Sequence, residues 1–368
     1  MHSETRLKSL DALRGFDMLF IMGFSAFVVA LCSLFPGGAG CWLAQTMEHV
    51  EWHGLAHHDT IFPLFLFLAG VSFPFSYAKS IERGASAKRI YLKIAKRAFV
   101  LVLLGLIYNG LLKFDFEKLR VCSVLGRIGV AWAVAAVMYI NFGRITRAAI
   151  CGAILLGYYF VVCYVGAPDV EGADPLTMQG TIVGYIDRLI TPGRLIYDNG
   201  RFDPEGLLST LPAVVTAMLG IFAGEYVRSA SHSGSRKSLT MLLAAAVMLG
   251  VGLLWSLEFP INKMLWSSSF VLVVGAYSLA MFAIFYYIVD VRGWQRWSIP
   301  LQVVGMNSIT IYMAQKVISF SRANQFLFGG LATKLPAEWG ELLIRGGYVL
   351  VCWLFLYFLY RKRVFLKV

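Results

Sequence analysis

The sequence predicts an all-α integral membrane protein of about ten transmembrane helices, with the N and C termini both cytoplasmic. Three observations predict it. Of the 368 residues, 58% are hydrophobic and only 15% charged, and the mean hydropathy is +0.68; a soluble domain of this size has no interior large enough to hide that surface. Apolar runs of about 20 residues recur between short polar segments. Basic residues alternate between the resulting loops: 21 of the 33 Lys and Arg fall on the side of the N terminus, 10 on the other, and Arg127 and Lys316 lie inside spans. That bias orients the chain by the positive-inside rule and assigns most of the +12 net charge to topology and headgroup anchoring rather than to nucleic acid.

The first run, 15–35, is too long for the apolar core of a cleavable signal and lacks a small-residue cleavage site. The second, 60–80, opens just after Asp59, an N-cap residue type, and has Pro63 in its expected first turn. The basic segment 79–97 leads into the third, 92–112; Arg144 and Arg147 separate the fourth, 122–141, from the fifth, 146–166. The connection 167–206 is the longest, rich in Asp, Gly and Pro, and a loop of that length in a compact protein is functional or flexible. Runs at 207–227, 239–256, 265–289, 299–320 and 345–360 complete the set. The expected organisation is a single domain, 1–368. Cys32, Cys41, Cys122, Cys151, Cys163 and Cys352 show no CxxC or zinc spacing, although Cys32 and Cys41 share the outer side. Phosphate-loop and GxGxxG motifs are absent, which excludes a fused nucleotide-hydrolysing module.

The densest polar feature is EHVEWHGLAHHDTIFP, 48–63, which places four of the six histidines on the non-cytoplasmic side. His49, His53 and His57 stand at i, i+4 and i+8; on a helix His53 and His57 would face together as half a zinc site, with Asp59 or Glu48 as a third ligand, but Gly54 argues against that helix, and no second ligand cluster exists in the sequence. A histidine beside a carboxylate at a water-accessible mouth makes a general base or nucleophile, with Asp59 as capping residue, orienting carboxylate or both. Charges inside spans are functional candidates by default: Asp17, three residues from Arg14, and Arg127, seven from Arg120. Asn307, Ser308, Tyr312 and Gln315 put polar groups into the ninth run as interhelical glue or cavity lining.

These residues sit in segments that resemble the heparan-α-glucosaminide N-acetyltransferase family, including its bacterial transmembrane acyltransferase relatives. The segments are RLKSLDALRGFDM (6–18), HVEWHGLAHHDTIFPLFLFLAG (49–70), LRVCSVLGRIGV (119–130), GYIDRLI (184–190), FDPEGLLSTL (202–211), PINKMLWSSSF (260–270), VGMNSITIYM (304–313) and YRKRVF (360–365), in order and covering nearly the whole chain. The resemblance implies a transmembrane acetyltransferase of the bacterial inner membrane. It would take acetyl from cytoplasmic acetyl-CoA, a co-substrate, and give it to the amine of glucosamine or a glucosamine-containing sugar on the periplasmic side. It implies His49 as general base or acetylated nucleophile, with Asp59 in support. Trp52, Arg120, Asp203, Glu205, Asn262 and Lys263 are expected to bind the acceptor. Arg14, Lys93, Lys96, Arg97 and Arg127, with Asn307, Ser308, Tyr312 and Gln315, are expected on the acetyl-CoA side, because coenzyme phosphates cannot cross about 30 Å of hydrocarbon and need a basic inner mouth. No metal is expected, and the resemblance suggests a homodimer. The chain departs from the animal protein at Gln315, where that protein has a second histidine, and in having His53, His57, His58 and Asp17. Two other functions fit the composition: an amino-sugar transporter, opposed by the lack of an internal repeat, and an O-acyltransferase acting on an envelope glycan.

Overall fold

A computed structural model describes residues 7–35 and 37–366. Among these residues the chain forms fifteen α-helices, with isolated bridges but no strand. This is the all-α membrane architecture expected. Eight stretches are long and apolar enough to cross a bilayer: Lys8–Ser33, His57–Glu82, Val124–Asn141, Arg144–Tyr164, Thr210–Arg228, Gly234–Trp255, Ser268–Val291 and Ala337–Arg361. Two of the ten expected spans differ for physical reasons. The third is a continuous helix, α5 (Ala87–Tyr108), but Lys88, Arg89, Lys93, Lys96 and Arg97 crowd its first half. The ninth breaks at Asn307 into α12 (Ile299–Gly305) and α13 (Ser308–Val317), each too short to span. The terminal Arg6 and Lys367, which enter the expected orientation, lie outside the described residues. All six cysteines are free thiols, Cys32 and Cys41 included.

The chain divides into two compact units: one of residues up to 50, with 56–61 and 281 onward, the other of 51–55 and 62–280. In the first unit, α1 (Lys8–Leu19) continues through a π-helical turn, Phe20–Phe24, into α2 (Ser25–Ser33), followed by the short α3 (Gly38–Thr46). The turn depends on Gly23, whose φ of 117° is left-handed territory that glycine enters without a Cβ penalty. α1 packs on α12 through paired glycines: a Cβ on Gly15 would overlap the Leu301 carbonyl, and one on Gly305 the Asp11 carbonyl. α14 (Phe320–Ala332) and α15 (Ala337–Arg361) pack on each other, and α15 also meets α2.

The second unit is built from most of α4 (His57–Glu82), α5, α6 (Val124–Asn141), α7 (Arg144–Tyr164), α8 (Ile182–Ile190), α9 (Thr210–Arg228), α10 (Gly234–Trp255) and the larger part of α11 (Ser268–Phe285). α4 and α9 approach backbone to backbone because Gly70, Gly220 and Gly224 leave no side chain between them. Small-residue seams of this kind are how helices associate where lipid removes the hydrophobic drive. Phe62, Leu66, Phe73, Trp132, Met218, Trp266 and Phe270 fill the core. α10 instead exposes Leu239, Leu243, Val247 and Leu254, an apolar surface of the kind that suits lipid. The long 167–206 connection is not slack chain. It carries α8, whose Ile182 and Val183 are buried with Phe202, Phe259 and Leu265, and this packing fixes the acidic residues that follow.

Candidate functional site

Residues 48–56 are irregular, and α4 starts at His57. The i, i+4, i+8 histidines therefore share no helix face. Gly54, at φ +124°, breaks the helical path. The irregular backbone brings His49 to Asp59: Nδ1 lies 2.6 Å from Oδ1. Asp59 sits within the first turn of α4 rather than at its N-cap. Its Oδ2 instead accepts the Ala56 N–H at 3.1 Å and the Val50 N–H at 3.4 Å. One carboxylate thus holds the loop at Val50 and Ala56 and, through its other oxygen, the His49 imidazole. The carboxylate is buried, with its side chain 2% exposed, while the His49 side chain is 46% exposed. With Asp59 ionised, Nδ1 carries the hydrogen and Nε2 holds the lone pair, the tautomer a proton acceptor or nucleophile needs.

His58 supports this pair from the side. Its ring meets His49 edge to face at a centroid distance of 4.4 Å, and its Nδ1 lies 3.1 Å from Ser25 Oγ. His57 packs on Phe20 at 4.4 Å. His58 is therefore part of the setting of His49.

Elsewhere in the first unit, Arg14 lies 3.8 Å from Asp11, on the other side from Asp17. Asp17 is buried, and its Oδ2 has no hydrogen-bond partner among the described residues. Asn307 is the hinge between α12 and α13: its Nδ2 donates to the Val364 carbonyl at 3.1 Å and its Oδ1 accepts from Thr310 at 3.2 Å. Gln315 donates to Tyr348 Oη at 3.0 Å. Ser308 and Tyr312 are half-buried on the same short helix.

The second unit gathers a different cluster. Arg120 precedes α6, and its fork is bidentate on Asp203, Nε to Oδ2 and Nη2 to Oδ1, both at 2.7 Å. Nη2 also donates to Glu205. Asp203 Oδ1 accepts the Glu205 N–H at 2.9 Å, so the turn braces its own acid. The Asn109 amide holds the Arg120 carbonyl at 2.9 Å. Bidentate, desolvated pairing of this kind is strong and specific in direction. Arg127, one helical repeat further into α6, donates to Ser209 and to the Gly206 carbonyl and stands 5.0 Å over the Trp266 ring. Arg127 therefore joins Arg120, Asp203 and Glu205. Lys93 and Lys96 are exposed on α5, and Arg97 lies 4.1 Å over Trp132.

Trp52 and His53 belong to this unit too. Trp52 Nε1 donates to the Leu176 carbonyl at 2.7 Å, and its ring meets Phe202 edge-on at 5.5 Å. His53 Nδ1 lies 3.3 Å from Asn262 Nδ2. Burial pushes the His53 imidazole below its usual value, against the Leu176 carbonyl and the Asp174 charge, which push it up. Asn262 is fully buried; its Oδ1 accepts the Leu265 N–H at 2.8 Å, which closes the 262–265 turn. Lys263 is half-buried in that turn.

Sequence reasoning passed over three residues here. Ser209 is the hydroxyl that meets Arg127, although it stands in the quoted FDPEGLLSTL segment. Asp187, inside GYIDRLI, is fully buried against the 203–206 turn. Arg147 pairs with Glu225 at 3.1 Å, a cation in α7 matched by an anion in α9. A hydroxyl three residues beyond an acidic turn, and a lone acid on the apolar face of a short helix, were the available signals.

Comparison with known proteins gives this geometry a context. A family model described as a domain of unknown function (DUF5009) matches residues 6–110. The chain is 29% identical to human heparan-alpha-glucosaminide N-acetyltransferase over 419 aligned positions, which take in 99% of this chain and 60% of the human protein. It is 28% identical to the mouse protein of the same name over 423 positions, 100% of this chain and 61% of that one. The chain thus spans about three fifths of the length of the curated relatives it matches, and it is related to them along nearly its whole length.

Proposed function

We propose that the protein is a transmembrane acetyltransferase: it takes acetyl from cytoplasmic acetyl-CoA and forms an amide with the amine of glucosamine, or of a glucosamine-containing sugar, on the periplasmic side of a bacterial inner membrane. The observation that carries the reading is the His49–Asp59 pair, an exposed imidazole held at 2.6 Å by a buried carboxylate. The names of the human and mouse relatives support the reaction class, and the eight spanning stretches support a membrane setting.

In this reading His49 Nε2 takes a proton from the acceptor ammonium, so that the amine nitrogen can attack the thioester carbon. The C–N bond forms, the C–S bond breaks, and the CoA thiolate leaves to be protonated. The alternative course makes His49 the first nucleophile, with acetyl passing through Nε2. In both courses the Asp59 carboxylate holds the ring and stabilises its cation. Trp52, Arg120, Asp203, Glu205, Asn262 and Lys263 serve the acceptor sugar. The basic face of α5, with Lys93, Lys96 and Arg97, suits coenzyme phosphates, and Arg14 and the 307–315 polar groups suit the remainder of the donor. Arg127 is better placed to position the acidic turn than to meet phosphate. The reading treats 1–368 as one functional domain, working as a homodimer.

The test uses the purified protein in detergent with acetyl-CoA and glucosamine, read by thiol release and by mass of the sugar product. His49→Ala is expected to abolish both signals while acetyl-CoA binding, measured by calorimetry, persists. A His49→Ala protein that still turns over refutes the assignment. Counterflow of glucosamine in liposomes without thiol release would replace the transferase by a carrier.

A further inference from the structure

Asp187 is the one acid of the second unit's polar cluster to which the proposed reaction gives no work. It is fully buried on α8. Its Oδ1 accepts the Leu207 N–H at 2.8 Å. Its Oδ2 has no hydrogen-bond partner among the described residues. Both oxygens press on Gly206: a Cβ at that residue would overlap the carboxyl group. Gly206 and Leu207 directly follow Asp203 and Glu205, the residues that grip Arg120, so the Asp187 carboxyl is the wall behind the acidic turn.

The charges around it are few enough to sum. Arg127, Asp203 and Arg188 lie within electrostatic reach. Arg188 is paired with Asp169 at 2.7 Å and is neutralised there. The Cys122 thiol, pushed up to about 12 mainly by burial, adds no charge, and neither does the Tyr158 hydroxyl, which donates to the Leu265 carbonyl. Arg120 and Arg127 then face Asp203 and Glu205, two cations against two anions. A proton on Asp187 leaves the cluster balanced, and its loss leaves one surplus negative charge that only a further cation can match. Burial, opposed by the Leu207 N–H and the Arg127 charge, pushes this carboxyl up to about 7, so both states are populated near neutral pH.

We infer that Asp187 is a positioning residue that holds the 203–206 turn from behind and, by gaining or losing one proton at Oδ2, switches the Arg120–Arg127 cluster between a balanced state and one that attracts a cationic amine. The inference rests on the amino-sugar reading above for the identity of that amine, but the protonation step itself does not.

Infrared titration of the purified protein between about pH 5 and about pH 9 separates the two. With aspartate carboxyl carbons labelled with heavy carbon, the wild type is expected to lose a protonated-carboxyl band with a midpoint near 7. The band is expected to be absent in Asp187→Asn, and glucosamine is expected to lower the wild-type midpoint. In turnover, KM for glucosamine should fall as pH rises through the midpoint in the wild type. In Asp187→Asn, only the dependence due to the amine's own ionisation should remain, with kcat at low pH retained. A band that persists in Asp187→Asn, or identical KM profiles in the two proteins, overturns the inference. If Asp187→Asn does not fold, the labelled wild type decides alone: no aspartate band titrating near neutral pH overturns it. A wild type that shows the band and its shift with glucosamine but transfers no acetyl defeats the transferase reading and leaves the switch standing.

Discussion

The His49 pair and the Arg120 cluster both join ionisable side chains distant in sequence, yet they are built on opposite plans. His49 meets one buried carboxylate and leaves its ring 46% exposed. Arg120 is only 18% exposed, and Asp203 and Glu205 take up its fork with side chains 0% and 9% exposed. The first arrangement keeps a reactive atom available and buries only the group that aims it. The second spends its charges on one another. Reactivity and rigidity are therefore separable here, and mutation should affect them separately.

The largest expected effect is on chemistry at the first region. Asp59→Asn keeps the size of the side chain, but the amide cannot stabilise an imidazolium and can stabilise the wrong tautomer. The transfer rate should fall by about 10²- to 10⁴-fold with melting temperature little changed; an unchanged rate would mean that Asp59 only fixes the loop. The next effect is on stability at the second region. Arg120→Ala strands two buried carboxylates, one fully desolvated, and should cost about 3–5 kcal/mol in the folding equilibrium. Thermal unfolding in detergent should show it, with a larger shift than His49→Ala produces. If the two substitutions lower the melting temperature equally, the contrast between the regions fails.

The smallest expected effect is one of pH. His53 is held below its ordinary value by burial. Its neutral form is the one the fold prefers, so the unfolded chain binds the proton first as pH falls. Stability should therefore decline below about 6.5, the unfolded imidazole value, and level off under the folded value. Replacing His53 with Gln should flatten that decline, by about 1 kcal/mol at most. A decline that survives the substitution belongs to another group.

Much of the helical frame was legible because an apolar run of about 20 residues has few other uses. The exceptions are instructive. The 299–320 run reads as one span, since its apolar residues continue on both sides of Asn307. At the break the Asn307 side chain donates to the Val364 carbonyl, 57 residues away, and no local pattern encodes such a partner. The histidine spacing suggested a shared face that Gly54 removes, so proximity of His49 to Asp59 comes from irregular chain rather than from periodicity. The Arg120–Asp203 pair spans 83 residues and was visible only as two segments of a resemblance. Asp187 stood inside a third such segment, but a single acid on a short helix carries no spacing signal, and its meaning lies in Gly206 beside it.

That glycine sets a boundary on what can be changed. Position 206 is where a designer would first add bulk to remodel an acidic turn, and a side chain there would have to occupy the volume of the Asp187 carboxyl. A change to this turn therefore has to be made through its side chains at 203 and 205 rather than by adding one at 206. Libraries aimed at the acidic turn should vary 203 and 205 and leave the backbone seam at 206 untouched.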